Sequence, residues 1–400
     1  MKKPFCTLLV VLLLLNGAMA QWIPLNSGVD STLLSVYFTD ANTGYAVGFA
    51  GTILKTTNAG ALWTTQSSWV PYALTSVYFI NADTGYTVCA AEFGIVNPIL
   101  KTTDGGTTWT VKFVDTLHGL YSVYFTDANT GFAIDNASRI LKTTNGGASW
   151  TTQYSPNGQS LYSVYFTNVN IGYIVGDNGT ILKTTDGGMT WTVQPSGTSN
   201  ELSSVFFTDT NTGYIVDLEG AIRKTTNGGT SWTSLNSGNT NELWSVYFTN
   251  ANTGYAVGEY GTILKTTNGG TSWISQTSGT SKSLYSVYFT DANTGYAVGD
   301  YGTILKTTNG GYPEDVNEIY SNSNSLKIYP TPTDSKITIE ITGGLKECNL
   351  AILNIEGQQL ITRQITEPKT HVDISSLPSG VYFVRLTNDK TVEVGKIVKK

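Results

Sequence analysis

The sequence predicts an all-β protein, in which a seven-bladed β-propeller of four-stranded blades is followed by a small immunoglobulin-like β-sandwich. Three observations support this prediction: a unit of about 41 residues occurs seven times, each copy holds four short runs typical of strands, and the last copy is incomplete. Four antiparallel strands at such a period are typical of propeller blades. A solenoid, the competing interpretation, would require polar capping repeats at both ends, whereas here the two ends complete each other.

The repeat is easiest to follow in one turn, where an Asn or Asp recurs 46 residues after the first copy and then every 41 residues. The longer first interval reflects extra residues around 91–98 in the second copy. Within a copy such as Leu284–Gly311, apolar runs alternate with Gly, Asn and Asp, as antiparallel hairpins require. The turn residues of the seven copies are Asn58, Asp104, Asn145, Asp186, Asn227, Asn268 and Asn309.

The first twenty residues predict a secretory signal peptide (1–20). Lys2 and Lys3 precede an apolar run at 8–15, and the small residues at 18–20 form a cleavage site, so the mature chain is expected to begin at Gln21. No later segment is apolar over about 18 residues, and we therefore expect no transmembrane segment.

The incomplete last copy predicts how the ring closes. It stops at Gly311 without a fourth strand, while Trp22–Gly28 aligns with Trp232–Gly238, which follows the turn of the fifth copy. We therefore expect the N-terminal segment to supply the fourth strand of blade seven. Closure removes an exposed strand edge that would favour aggregation. The predicted propeller spans residues 21–311.

The recurring turn also carries a family signature. Thr225–Trp232 matches the pattern Ser/Thr-x-Asp-x-Gly-x-Thr-Trp, with Asn replacing Asp in most copies. We expect the Asn or Asp side chain to accept hydrogen bonds from backbone N–H groups two residues on, and the Trp to pack under the hairpin. The six tryptophans are Trp63, Trp109, Trp150, Trp191, Trp232 and Trp273.

On these residues the chain resembles the Asp-box β-propellers, and most closely the photosystem II assembly and stability factor-like propellers. The resemblance covers about residues 21–311. It implies that the box is a structural turn on the outer, lower rim of the ring, away from the face that binds ligands.

The composition changes after a linker at 312–325. Residues 326–400 contain about seven short strand-like runs and no repeat, which indicates a small sandwich. This tail resembles the type A C-terminal sorting domain of the type IX (Por) secretion system. The resemblance implies a Bacteroidota-type cell whose secretion machinery binds residues 326–400 and delivers the protein outside the cell or to its surface. The anchor residues are Tyr329, Pro330, Pro332, Gly357, Gly380 and Tyr382.

Several kinds of chemistry are disfavoured by composition. The chain holds 23 Lys plus Arg against 29 Asp plus Glu, a net charge of −6. Nucleic-acid binding needs a basic surface, which this composition disfavours. The propeller has only Arg139 and Arg223, too few for the arginine cluster of sialidases, and His118 is its one histidine. We expect no catalytic residue, no metal and no cofactor.

Two hypotheses for function remain open. The first is a non-catalytic binding or interaction scaffold for an unknown protein or glycan ligand. The second is a carbohydrate-binding or glycoside-hydrolase-type propeller that acts on extracellular polysaccharide, since related folds place two acidic residues in a cleft.

A ligand is expected at the upper face, where the turns between second and third strands meet the loops between blades. These turns vary among copies and carry the acids Asp135, Asp177, Asp217, Glu219, Glu259 and Asp300. Trp69, Tyr72 and Trp244 fall outside the repeat's aromatic columns, near inter-blade loops. Ordinary hairpin chemistry would also explain these acids. The candidate ligand-binding residues are Asp177, Glu259, Tyr260, Asp300, Tyr301 and Trp244.

Overall fold

The computed structural model of the protein describes residues 22–90, 97–115, 118–311, 326–341, 348–354, 358–387 and 392–400. The predicted signal peptide, the linker and the anchor Gly357 lie outside these residues. The chain divides into two compact units, before and after residue 313. Besides two single 3-10 turns, at Phe49–Gly51 and Glu259–Gly261, the regular elements of the described residues are 35 strands.

Seven antiparallel four-stranded sheets form the blades in the described part of the first unit. The N-terminal strand β1 (Ile23–Leu25) belongs to blade seven. The strands of the first three blades are β2 (Leu33–Phe38), β3 (Gly44–Gly48), β4 (Ile53–Thr56) and β5 (Thr64–Gln66); β6 (Ala73–Phe79), β7 (Gly85–Ala90), β8 (Asn97–Thr102) and β9 (Thr110–Asp115); and β10 (Leu120–Phe125), β11 (Gly131–Asp135), β12 (Arg139–Thr143) and β13 (Thr151–Tyr154).

The later blades repeat this arrangement. Their strands are β14 (Leu161–Phe166), β15 (Gly172–Gly176), β16 (Thr180–Thr184) and β17 (Thr192–Gln194); β18 (Leu202–Phe207), β19 (Gly213–Asp217), β20 (Ile222–Thr225) and β21 (Thr233–Leu235); β22 (Leu243–Phe248), β23 (Gly254–Gly258), β24 (Ile263–Thr266) and β25 (Ile274–Ser275); and β26 (Leu284–Phe289), β27 (Gly295–Gly299) and β28 (Ile304–Thr307).

The N-terminal strand completes blade seven, which confirms the predicted closure. Strand β1 pairs antiparallel with β28, with Ile23 opposite Lys306 and Leu25 opposite Ile304. Trp22 is fully buried and meets the ring of Phe289 edge-on, with centroids 5.8 Å apart. The same contact joins Phe38 and Trp63 in blade one. Trp22 therefore takes the place of the tryptophan that the last copy lacks.

The hydrophobic core lies between the blades. Phe38 of blade one stacks on Tyr296 of blade seven at 4.1 Å, and each buried cluster of the propeller draws on two neighbouring blades. A glycine opens every second strand because the space is taken: a Cβ on Gly44 would lie 2.5 Å from the Phe38 ring. Both faces of the second strands are buried between blades, which explains why apolar and polar residues do not alternate along them.

A recurrent clamp joins each blade to the next. In blade one, the Tyr45 hydroxyl and the Lys55 ammonium both donate to the carbonyl of Gly105, at 2.7 and 2.6 Å. Tyr296 and Lys306 do the same to the carbonyl of Ala59 across the closure. The clamp explains the lysine of the repeated Ile-Leu-Lys-Thr run, to which the sequence pattern assigned no role. The other clamp lysines are Lys101, Lys142, Lys183, Lys224 and Lys265.

Internal hydrogen bonds hold the Asp-box turns, and the predicted partner two residues on is found at Asn309, which accepts from the N–H of Gly311 at 3.0 Å, but not at Asn58. The Asn58 side-chain oxygen accepts from the N–H of Leu62, four residues on, at 2.9 Å. Left-handed backbone at Ala59 and Gly60 turns the chain back toward the side chain, which brings the fourth N–H within reach.

The box residue also bonds to the side chain four residues on, and the direction of that hydrogen bond depends on whether the box residue is Asp or Asn. Thr108 donates its hydroxyl to Asp104 at 2.6 Å, whereas the amide of Asn145 donates to Ser149 at 2.9 Å. These hydrogen bonds hold the pKa of Asp104 down at about 2.

The second unit has two sheets. Its strands are β29 (Leu326–Tyr329), β30 (Lys336–Ile341), β31 (Cys348–Leu353), β32 (Gln359–Ile365), β33 (Lys369–Asp373), β34 (Gly380–Thr387) and β35 (Val392–Lys399). The sheets have the orders β29-β30-β33 and β32-β31-β34-β35. Among the anchors, Tyr382 is buried and its hydroxyl donates to the carbonyl of Pro378 at 2.7 Å. Tyr329, Pro330 and Pro332 are exposed, and Gly380 opens β34.

Candidate functional site

The first strands of the seven blades surround the central axis, and their aromatic side chains form a closed ring near the lower end. Ring centroids of neighbouring members are 4.9 to 5.7 Å apart. The Tyr37 hydroxyl donates to the carbonyl of Phe79 in the next blade at 2.9 Å, and burial raises the pKa of Tyr37 to about 12. This collar is a structural ring. Its members are Tyr37, Tyr78, Tyr124, Tyr165, Phe206, Tyr247 and Tyr288.

A second set of side chains lies at the upper ends of the same strands, directly after the first leucine of each. Small members bond to the next blade, since the hydroxyl of Ser203 donates to the carbonyl of Leu243 at 2.6 Å. Aromatic members instead meet one another edge-on in two pairs, Tyr121 with Tyr162 and Trp244 with Tyr285, both at 5.4 Å. We call this set the mouth ring, and its members are Leu34, Thr75, Tyr121, Tyr162, Ser203, Trp244 and Tyr285.

Two of the predicted acids contact the mouth ring. The Tyr162 hydroxyl donates to Asp177 at 3.0 Å, and the Tyr285 hydroxyl donates to Asp300 at 3.3 Å. Asp300 also accepts from the hydroxyl of Thr32 in the neighbouring blade, at 3.1 Å. These carboxylates therefore border the aromatic pairs.

Two further acids were missed in the sequence. Glu201 and Glu242 each precede the first leucine of a first strand, where the other copies carry Thr, Ala, Gly or Ser. Burial, and then the negative charges of Asp177 and Glu242, raise the pKa of Glu201. Burial, Glu259 and Glu219 raise the pKa of Glu242. The departure of two copies from a neutral column was the signal that could have revealed them.

The like charges that contribute to the raised pKa values of Glu201 and Glu242 favour the binding of a cation. Carboxylates whose pKa values are raised by like charges repel one another when ionised, and a bound cation would relieve that repulsion. The aromatic faces beside them are also favourable neighbours for a cationic group.

The remaining predicted residues lie at turn tips of blades six and seven. Tyr260 and Tyr301 are 65% and 67% exposed, and both have left-handed backbone. Glu259 raises the pKa of Tyr260 by accepting its hydrogen bond and by its charge. The Lys282 ammonium lies 3.9 Å from the Tyr301 ring centroid. Bulky residues seldom adopt this conformation, so both rings are held outward at some conformational cost.

The structure corrects the interpretation of Trp244. It lies within β22 and in a column shared with Tyr121, Tyr162 and Tyr285, so it does not fall outside the repeat's aromatic columns. Trp69 does lie in an inter-blade loop and is 88% exposed, while Tyr72 is half-buried.

Two acids of the predicted acidic ring are buried inside their own turns. Asp135 is fully buried, accepts from the backbone N–H of Ala137, and pairs with Arg139 at 2.6 Å. Asp217 is equally buried and accepts from the side-chain amide of Asn200 at 2.9 Å. Burial and internal hydrogen bonds occupy these two carboxylates, so they belong to the scaffold.

The described ranges contain neither a metal-binding cluster nor a membrane-spanning helix. Within them, no three His, Cys, Asp or Glu side chains come together as a metal site requires. In the same residues, no helix is long and apolar enough to cross a membrane.

Blades of four strands, Asp-box turns and a separate two-sheet tail define an Asp-box β-propeller joined to a C-terminal β domain. Residues 15–114, 110–192 and 149–241 match the model of the photosynthesis system II assembly factor YCF48, and residues 327–400 match the secretion system C-terminal sorting domain. The chain belongs to the YCF48 family of propellers, because the three overlapping matches together span residues 15–241, which is more than half of it. The sorting domain indicates type IX secretion to the cell surface or exterior.

Solved structures share the propeller fold at low identity. A structure of YCF48 bound to D1 peptide is 19% identical, covers 72% of this chain and 95% of its own, and has a TM-score of 0.61. YCF48 from Cyanidioschyzon merolae is 21% identical, covers 72% of this chain and 98% of its own, and has a TM-score of 0.60. A GH74 enzyme from Niastella koreensis is 18% identical, covers 80% of this chain and 59% of its own, and has a TM-score of 0.61. No curated protein matches the chain.

Proposed function

We propose that this exported propeller is a non-catalytic binding protein whose mouth ring and surrounding acids hold a ligand that carries positive charge. The observation that carries the proposal is the meeting of two aromatic pairs with Asp177, Glu201 and Glu242 at the upper end of the channel. Other blades place Leu, Thr or Ser at the same ring positions. A symmetric scaffold has therefore acquired one asymmetric surface, and asymmetric loops on a rigid scaffold are where binding is usually found.

The ligand class that we favour is a peptide with lysine or arginine side chains. A YCF48 structure with a similar fold holds a D1 peptide, which supports peptide binding by this kind of propeller. Here the aromatic rings would contact the apolar stems of basic side chains, while the carboxylates would pair with their charged ends.

The test uses fluorescent decapeptides that differ only in having zero, two, four or six lysines. Fluorescence anisotropy of the full chain should show affinity that rises with lysine number. A variant with Glu201→Gln, Glu242→Gln and Asp177→Asn should lose about tenfold or more, because paired charges at a partly desolvated site are worth about 1.5 kcal/mol or more.

A matched control removes three charges from the opposite face. Asp40→Asn, Asp127→Asn and Asp209→Asn change turns in which Asn250 of blade six already makes the same two backbone bonds. The control should bind like the parent. Equal losses in both variants would reduce the effect to net charge, and affinity independent of lysine number would overturn the proposal.

The alternative is a glycan ligand, with or without hydrolysis. The exposed rings of Tyr260 and Tyr301 favour it, since outward aromatic faces suit sugar rings, and the GH74 neighbour shares the fold. A glycan array combined with a reducing-sugar assay distinguishes glycan binding from glycan hydrolysis. Sugar release that is lost with Glu201→Gln would establish an enzyme. Array binding that is lost with Tyr260→Ala and Tyr301→Ala, without release, would establish a lectin-like role.

A further inference from the structure

We propose that the outer face of the four-stranded sheet of the sorting domain has a carboxylate-binding groove centred on Arg385, and that an acidic peptide segment of the secretion machinery occupies it. This inference concerns residues 326–400 and does not depend on the ligand of the propeller.

The groove is built by the register of three strands. Ala351 on β31 lies between Thr362 of β32 and Arg385 of β34, and Asn349 lies between Gln364 and Thr387 in the adjacent row. A small side chain at the centre of longer ones leaves a depression. Its volume is about 450 Å³, which is within the usual range of about 300–1,000 Å³ for small-ligand sites.

The lining is cationic. Arg385 is the charged side chain on this face, and no acidic residue lines the groove among the described residues. The remaining polar groups are amides and hydroxyls, such as those of Asn349, Gln359 and Thr387, which both donate and accept hydrogen bonds. Such a lining suits a peptide whose carboxylate side chain is flanked by backbone N–H and C=O groups.

Arg385 has an unused donor. Its Nε is buried from solvent and donates to no acceptor in the described part of the chain. An unpaired buried donor is costly, whereas a carboxylate that accepts from both Nε and an Nη would form the bidentate pair that arginine favours. Arg363 lies opposite Leu350 and therefore on the other face of the sheet, where one Nη donates to the carbonyl of His371 at 3.3 Å, so its side chain does not contribute to the groove.

The occupant is argued from the role of the domain. A sorting domain is recognised by a secretion system, so part of the surface of this domain must contact that machinery. The cationic groove would bind a partner of opposite charge, so its complement is an acidic segment. Anionic lipid headgroups share the charge but not the alternating donors and acceptors of a peptide.

The experiment measures fluorescence anisotropy of the full chain with two labelled hexapeptides, Gly-Ser-Glu-Glu-Ser-Gly and the same peptide with both Glu replaced by Gln. The parent should bind the Glu peptide about tenfold more tightly than the Gln peptide. Arg385→Gln should abolish that preference. Arg385→Lys should retain only part of it, because an ammonium keeps the charge but loses the bidentate geometry.

The control is Lys336→Gln, which removes an exposed positive charge from β30 in the other sheet and should leave the preference unchanged. Arg363→Gln removes the same charge from the opposite face of the same sheet and should also leave the preference unchanged, while Arg385→Lys carries the test if Arg385→Gln proves unstable in circular dichroism. Equal affinity for the two peptides, or an undiminished preference in either Arg385 variant, would overturn the proposal. Tighter binding to phosphatidylglycerol-containing phosphatidylcholine vesicles than to the Glu peptide would assign the groove to lipid instead.

Discussion

Replacing Trp22 with alanine should destabilise the propeller more than the same replacement of Trp150. Trp22 is only the second residue of the predicted mature chain, and terminal residues usually contribute little to stability. Here the side chain is fully buried between Phe289 and Tyr255, and the strand that follows it completes blade seven. Trp150 makes a similar edge-on contact with Phe125 but is only half-buried.

The magnitude follows from the buried area. A buried tryptophan removes about 150–250 Å² from water, worth about 4–6 kcal/mol at 25 cal/mol per Å². Alanine keeps a small part of this, and the indole N–H of Trp22 is buried without a partner among the described residues, which reduces its net contribution. We expect a loss of about 3–5 kcal/mol for Trp22→Ala, as for other large aromatic truncations, and less for Trp150→Ala.

The assay is urea unfolding followed by far-UV circular dichroism, which does not depend on the tryptophan removed. Thermal unfolding should give the same order, with a decrease of about 5 °C or more for Trp22→Ala in a unit of this size. Deleting residues 21–28 should be worse, because the β28 edge becomes exposed and aggregation follows. A Trp22→Ala variant as stable as Trp150→Ala would refute the closure argument.

Three further predictions concern the clamp, the tyrosines and the tail. Phe132→Tyr should raise the free energy of unfolding by about 1 kcal/mol in urea titrations, because it restores the hydroxyl that Tyr173 donates to Gly228 in the next blade, which Phe132 cannot donate to Gly187; a loss of stability would contradict the clamp. Burial raises the pKa of Tyr37 to about 12 and that of Tyr86 to about 12, so their stabilising effect is complete below pH 10 and should be lost between about pH 10 and 12, which circular dichroism across that range would detect; unchanged stability at pH 12 would exclude it. Removing residues 326–400 should leave a propeller with its β-sheet spectrum intact but retained in the periplasm in cell fractions, and normal delivery without the tail would contradict the address role.

Much of the fold could be predicted because the same solution is repeated. Seven copies of one pattern average out local ambiguity, and the missing tryptophan of the last copy pointed to Trp22 at the other end of the chain. The blade-to-blade clamp could not be predicted, because Lys55 and Gly105 are 50 residues apart and belong to different copies. A repeated lysine on a strand is compatible with many roles until its neighbour in space is known.

Part of the candidate site could also be predicted from the sequence, and part could not. Asp177, Asp300, Tyr260 and Tyr301 could be picked out because they vary at a turn that a propeller places on its upper face. Whether such an acid faces a ligand or the interior depends on its own turn, and Asp135 is fully buried beside Arg139.

By itself, the sequence determined the number of blades, the closure by the N-terminal strand and the sorting tail, because each is written as a repeated or linear pattern. Only the tertiary structure decided which side chains share the mouth of the channel. Tyr162 and Glu201 lie on different blades, and Glu201 acquires its raised pKa through burial and the charges of Asp177 and Glu242. Burial and electrostatic coupling arise between residues that are distant in the chain, so they exist only once the ring has closed.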